Sequence, residues 1–470
     1  MPRQPDAPRG CAADLLHHLE EGVLTKGASH GLALVLAAAG LGAAPAGAAP
    51  LLLVSIDGLR PGDVLDADRR GLKIPNLRRF VTAGAYASGV TGVLPTLTYP
   101  SHITLMTGTS PARHGVVSNT TFDPMGINQT GWYWYASDIK AETLWDAAHR
   151  AGLTTANVHW PVTVGAAIDL NLPQYWRTGH DDDRKLLRIF ATPGLVDGLE
   201  KDLGPYAQGI DESVEGDAVR AHFAARLIAT RRPGFTAVYL AGLDHVEHAA
   251  GPGSPEAKAA LERIDAMVGE LVAAERKAHP DAAIAIVSDH GFAKVDSDIN
   301  LIRPFVDAGL IRLDAAGKVA GWDAEPWFAG GSAAIVLAKP DDAALVAKVR
   351  ALLARLQADP ALRIAEVIDR PEIARRGGAP EASFYVYFQP GAEMGHDPAA
   401  PPVSPSSIKG MHGFAAALPE MRATFLIDAP GAGLRGDLGL IDMRAIAPTL
   451  ARVMGATLPQ AEVKGLAGGQ

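Results

Sequence analysis

Cysteine is nearly absent. Cys11 is the only one in 470 residues, which excludes a disulfide framework and a thiolate metal site. Any metal must then sit on histidine, aspartate, glutamate or hydroxyl ligands. Basic runs are also missing, and the net charge is −9. Nothing here suits a nucleic-acid polymer as partner, because such proteins carry a clustered positive footprint. No long hydrophobic run is present either. The longest weakly apolar stretch, "GLALVLAAAGLGAAPAGAA" at 31–49, is broken by glycine, alanine and proline. It is too weakly hydrophobic for a stable membrane span. Lys26 upstream and Ala46-Gly47-Ala48 at its end fit an export signal instead, with small residues at the cleavage site. The expected location is therefore periplasmic or secreted. The stretch ahead of that signal is long and acidic for a signal start, and points to a true start near Val23 or Leu24.

What is present suits a large core. Hydrophobic residues make up 48% of the chain, and the length exceeds what one simple core usually holds. Three near-continuous apolar runs end in aspartate: "LLLVSID" at 51–57, "FTAVYLAGLD" at 235–244 and "AAIAIVSD" at 282–289. Such runs predict strands buried on both faces, as in a parallel sheet. Between them, "EAKAALERIDAMVGELVAAERKA" at 256–278 spaces its apolar residues as a helix. The expected fold is α/β, with a mostly parallel central sheet flanked by helices. Residues 293–411 read as a less regular, loop-rich insertion forming a smaller subdomain. It includes a Pro-rich excursion at 390–407 and returns to the core at "KGMHGF", 409–414. Residues 441–459 predict a final amphipathic helix. The expected organisation is an N-terminal extension and signal over 1–49, a domain over 50–460 and a tail over 461–470.

Asp57, Asp244 and Asp289 thus fall at the carboxyl ends of predicted core strands, where open α/β sheets bind ligands. Any one could cap a helix; three together point to a site. Three histidines lie close by in sequence or in a glycine-bounded loop: His248, His290 and His412. Asp57, Asp289 and His290 would hold one ion, and Asp244, His248 and His412 another. Imidazole and carboxylate are a fitting donor set for zinc, and paired ions suit in-line phosphoryl displacement. The remaining histidines, among them His102, His114, His159, His180 and His245, read as ordinary polar residues.

The stretch "LPTLTYPSHITLMTGTSPARHG" at 94–115 places hydroxyls just before a helical run. Pro100 suits the first helical position, so Thr98 and Tyr99 fall at a helix start, where backbone N–H groups attract anions. A metal-bound threonine there would serve as a nucleophile. On spacing alone Thr98 is equally well a helix cap, and Thr96 and Ser101 are equal candidates.

The motifs "VSIDGLRPG", "PTLTYPSHITLMTGTSPARHGVVSNTTFDP", "NVHWPV", "YLAGLDHVEHAAGPGS", "SDHGF", "KGMHGF" and "MRATFLI" follow one another from Leu51 onward. In this order the chain resembles the nucleotide pyrophosphatase/phosphodiesterases of the alkaline phosphatase superfamily, over about 51–459, and looks like their compact bacterial members. The resemblance implies Thr98 as the nucleophile, two zinc ions divided as above with Thr98 joining the Asp57 group, and Asn119 as an amide stabilising transition-state oxygens together with the Tyr99 N–H. Tyr99 and Tyr239 match positions that hold the nucleotide base. One departure is "YPSH" where relatives often carry "FPNH".

The implied activity is hydrolysis of phosphate diesters or nucleotide phosphoanhydrides through a phospho-threonine, releasing nucleoside monophosphates. An alkaline phosphomonoesterase or a phosphonate hydrolase on the same fold is the alternative. A monoesterase needs further cations for its dianionic phosphate; Arg60 and Arg113 are the candidates, and both read better as surface residues.

Overall fold

The computed structural model describes residues 49–128, 131–175, 183–206 and 209–467. The expected export signal, its cleavage site, the alternative start, Cys11 and His180 lie outside them. Among the described residues no helix is long and apolar enough to cross a membrane.

Strand β1, Leu51–Ile56, is buried at every residue. Leu52, Val54 and Ile56 pack into the apolar layer on one side of the sheet. Leu51 and Leu53 pack into the layer on the other. A continuous apolar run is stable only with both faces covered, and that is how the run is used. The sheet has eight strands: β1, β2 (Ala85–Tyr86), β3 (Thr155–Val158), β4 (Leu170–Leu172), β5 (Phe235–Leu240), β6 (Ala283–Val287), β7 (Phe425–Asp428) and β8 (Gly436–Asp437), in the order β8-β2-β7-β6-β1-β5-β3-β4. β1 lies between β5 and β6, parallel to both, and β7 runs antiparallel to β6. The mostly parallel α/β architecture expected from the sequence is the one observed.

Four helices carry or support the site: α1 (Thr98–Thr107), α2 (Val214–Arg231), α3 (Gly242–Ala250) and α4 (Pro255–Ala278). α4 starts where its sequence says it should. Pro255 opens it, and the Ser254 hydroxyl accepts the Ala257 N–H, a proline-plus-serine start that satisfies an orphan donor. Two boundaries differ from the sequence reading. The run 235–244 does not stay extended: the strand ends at Leu240 and α3 begins at Gly242. The C-terminal helix is shorter than 441–459. A 3₁₀ turn at Met443–Ala445 leads into Ile446–Val453, which stops just before Gly455 at φ +72°.

The region 293–411 is more regular than expected. Four antiparallel strands, Ala324–Phe328, Ser332–Leu337, Ala382–Phe388 and Ile364–Asp369, pair in that order. With the helix Ala343–Gln357 they enclose an apolar core of their own. The strand entering this region pairs with the segment leaving it, Ala293 opposite Met411 and Lys294 opposite Gly410. That pairing carries His412 back beside His290.

Candidate active site

The site is built at the carboxyl edge of β1, β5 and β6. Asp57 follows β1 directly, and Asp289 lies two residues beyond β6. Asp244 sits in the first turn of α3, with His248 one turn later, a spacing that puts both on one helix face. The His248 and Asp244 side chains approach to 3.4 Å, and His412 reaches the other Asp244 oxygen at 3.7 Å. His290 Nε2 lies 3.4 Å from Asp57 and 3.1 Å from Asp289. The His290 and His412 rings stack at 3.7 Å. Among the described residues, two groups have ligand atoms close enough to hold an ion: Asp57, Asp289 and His290, and Asp244, His290 and His412. His290 therefore stands in both clusters, where the sequence reading gives it to one, and His248, which that reading gives to the second, is in neither group, its Nε2 lying 3.4 Å from Asp244.

The ring orientations are settled by backbone carbonyls. Nδ1 of His248 faces Gly410 O, Nδ1 of His290 faces Gly291 O, and Nδ1 of His412 faces Thr96 O. A carbonyl only accepts, so each Nδ1 carries the proton and each Nε2 lone pair is left for the cluster. Facing them are Asp57 Oδ1, Asp244 Oδ1 and Asp289 Oδ2, all buried without a hydrogen-bond partner. Burial, then the charge of a neighbouring carboxylate, pushes the Asp57, Asp244 and Asp289 carboxyls well above the usual carboxylate range. Burial, then the His412 ring, pushes His290 well below the usual imidazole range, and burial brings His412 down to about 3. Neutral imidazoles aimed at crowded, unpaired carboxylate oxygens are the donor chemistry a pair of divalent cations requires. The residues fit such a centre.

Thr98, two residues ahead of the Pro100 start expected from the sequence, is the first residue of α1, behind Leu97 at the N-cap. Oγ1 lies 3.4 Å from His290 Nε2. The other two hydroxyls are placed differently. Thr96 Oγ1 donates to Phe414 O at 2.7 Å, and Ser101 is fully buried. Asn119 Oδ1 accepts the Tyr99 backbone N–H at 2.9 Å. An N–H can only donate, so this contact sets the amide's orientation and leaves its NH₂ group to point elsewhere. It also occupies the Tyr99 N–H, which the sequence reading had assigned to phosphoryl oxygens.

The two tyrosines are not rim residues. Tyr99 is 1% exposed and packs on Trp132 with ring centroids 5.3 Å apart. Tyr239 is 3% exposed; its hydroxyl donates to Asp57 Oδ2, and its ring lies against His102 and His159. Arg60 is not a surface residue either, being bound to Asp63 and Glu247, whereas Arg113 is exposed. His102 was read as an ordinary histidine, yet it lies under the site. Its Nδ1 donates to Thr98 O at 2.8 Å, its Nε2 meets Ser55 Oγ at 2.9 Å, and Nδ1 is 3.6 Å from Asp289. Its position four residues after Thr98 in a helical run was the signal available in the sequence. Glu247, also passed over, is a buried carboxyl pushed up to about 8 by its burial.

A mostly parallel α/β sheet with carboxylates and imidazoles converging beside a helix-start threonine defines a protein with a candidate metal centre at the sheet's carboxyl edge. The family model of type I phosphodiesterase / nucleotide pyrophosphatase matches residues 51–401, and the chain belongs to that family. A Schizosaccharomyces pombe protein described as an uncharacterized pyrophosphatase/phosphodiesterase is 27% identical over 284 residues, which are 58% of this chain and 50% of the relative. Human ectonucleotide pyrophosphatase/phosphodiesterase family member 1 is 28% identical over 254 residues, 52% of this chain and 23% of the relative. The chain thus spans half or less of the length of these curated relatives. Among solved structures, human ectonucleotide pyrophosphatase/phosphodiesterase 5 superposes with a TM-score of 0.62 at 20% identity, covering 87% of this chain and 95% of that one. An inactive variant of the murine protein, solved in complex with AMP, gives the same score at 19% identity, covering 89% and 97%.

Proposed function

We propose that this chain is a two-zinc phosphodiesterase or nucleotide pyrophosphatase that works through a phospho-threonine on Thr98. The observation carrying this reading is the convergence of three unpartnered buried carboxylate oxygens, the His290 and His412 Nε2 lone pairs and the Thr98 hydroxyl, with His248 Nε2 beside Asp244. Asp57, Asp289, His290 and Thr98 would hold one ion, and Asp244, His248 and His412 the other. When bound, the ions would supply positive charge to the phosphoryl and leaving oxygens. The protein's part is positional. α1 presents Thr98 Oγ1 at the cluster, and His102 holds the Thr98 carbonyl. Thr98 Oγ1 gives up its proton to solvent and forms a bond to phosphorus as the bond to the leaving oxygen breaks, that oxygen taking up a proton from water. Water then cleaves the phospho-threonine, restoring the hydroxyl and releasing a monoester. The NH₂ of Asn119, whose direction follows from the Tyr99 contact, donates to the equatorial oxygens.

The AMP complex of the murine relative supports a nucleotide substrate. A phosphomonoesterase is less favoured, because Arg60 is committed to Asp63 and Glu247. Export to the periplasm or medium remains part of the reading. The test is hydrolysis of bis-p-nitrophenyl phosphate, p-nitrophenyl phosphate and thymidine monophosphate p-nitrophenyl ester, with and without chelator. The expected result is a chelator-sensitive preference for the two diesters. A preference for the monoester would overturn the diester assignment while keeping the metal site.

A further inference from the structure

Helix α3 bears Asp244 and His248, yet its N-cap residue is Ala241, which has no side chain to cap with. The first N–H groups of a helix need partners when buried. Here the partner comes from another helix. Asp217, in the first turn of α2, accepts the Ala241 N–H through Oδ1 and the Gly242 N–H through Oδ2, each at 2.8 Å. Asp217 is in turn paired with Arg220 one turn along α2, and neither side chain is exposed at all. Of the other Arg220 donors, Nη1 reaches Gly209 O at 3.0 Å and also Asp211 O, while Nε is buried without a hydrogen-bond partner. One buried pair thus ties together the start of α3 and the turn leading into α2. The fit is close. A Cβ at Gly242 would lie 2.6 Å from Asp217 Oδ2 and 2.8 Å from the Val214 backbone.

A buried ion pair is expensive to desolvate, and apolar replacements are often as stable. Stability alone is therefore a weak account of this one. We propose that Asp217 and Arg220 are positioning residues for the second metal group, fixing the first turn of α3 so that Asp244 and His248 meet His412. This inference rests on the two-metal reading of the site. Asp217 acts through the backbone of Ala241 and Gly242, three and two residues ahead of Asp244.

The test is titration of the metal-free full-length chain with cobalt(II) alone, following visible absorption and the two binding constants. Asp217→Asn/Arg220→Met removes both charges together, so no unpaired ion is left buried. Gly242→Ala keeps both charges and only displaces the contact. In each variant the site centred on Asp57 and Asp289 is expected to fill as in the wild type. The second site should weaken at least tenfold and change its cobalt spectrum. Wild-type affinity and spectrum at both sites in both folded variants would overturn the proposal, leaving the pair a merely structural role. Equal weakening of both sites would also overturn it. A wild-type chain that bound no cobalt would overturn the two-metal reading itself, and is thereby distinguished from failure of the positioning claim.

Discussion

At the scale of single residues, the three hydroxyls near the start of α1 separate by what each touches. Thr96 is spent on the Phe414 carbonyl, Ser101 is sealed in the core, and Thr98 faces His290. Thr98→Ala should cut turnover at least about a thousandfold while fold and metal content stay near wild type. Asp289→Ala should instead lose a bound metal, and elemental analysis of the two purified variants separates the roles. A second prediction concerns His114, which is buried in α1's neighbourhood and away from the cluster. Its Nδ1 accepts the Val116 N–H and its Nε2 faces Thr104 Oγ1, an arrangement only the neutral ring satisfies. Burial lowers it to about 3, whereas the unfolded chain titrates near 6.5. Between those values the unfolded state binds more protons. Stability is therefore full above about pH 6.5 and falls as pH drops toward 3, by up to about 1.4 kcal/mol per pH unit for this group. Denaturant unfolding across that range should show a shallower slope for His114→Gln than for the wild type. The aspartates and histidines of the cluster were legible from residue type and place. The burial of Tyr239 and Tyr99 was not, because an aromatic beside a site reads alike whether it lines the pocket or lies beneath it.

At the scale of elements, the strand ends carried the legible information. A two-sided apolar run ending in aspartate is a buried parallel strand with a carboxylate at its edge, and β1 and β6 follow that rule. The run ending at Asp244 fails in an instructive way. Its last residues turn helical because Asp217, some distance away in sequence, supplies the cap that Ala241 lacks. A tertiary cap leaves no local trace. The regularity of 293–411 was hidden for a related reason: its strands pair antiparallel with one another, and their partners are not apparent from composition. The return segment offers a further prediction. Gly413 sits at φ +85°, and a Cβ there would lie 1.9 Å from Ala329 O. Gly413→Ala must strain the backbone and move the 329–331 loop, at about 2–3 kcal/mol. Since His412 is the adjacent residue, metal affinity should drop with stability, and parallel measurements of melting and zinc content would show both. Loss of stability with unchanged zinc affinity would mean that His412 is held from elsewhere.

At the scale of the whole molecule, the site is a junction. Asp57 and Asp289 come from the sheet, Thr98 from a helix on one of its faces, Asp244 and His248 from α3, and His412 from the end of the insertion. Folding gathers carboxylates that repel one another, so metal binding and stability must be linked. In the metal-free protein the Asp57, Asp244 and Asp289 carboxyls are raised by burial and mutual charge, and the folded state binds more protons than the unfolded one. By linkage, the metal-free fold loses stability as pH rises through those raised values. The lowered His290 and His412 act in the opposite sense, but their contribution is complete by about pH 6.5, where the unfolded imidazole has lost its proton. Above that pH, of the cluster's own groups, only these three carboxyls remain to titrate. A loaded centre neutralises them, and ligand binding adds about 2.7 kcal/mol when free metal is a hundredfold above its dissociation constant. The drop in melting temperature caused by chelator should therefore widen as pH rises above 6.5. Melting curves at several pH values, with zinc and with chelator, test this directly. A chelator effect that stayed constant or shrank with rising pH would mean that the three carboxylates do not share the neutralising charge proposed for them.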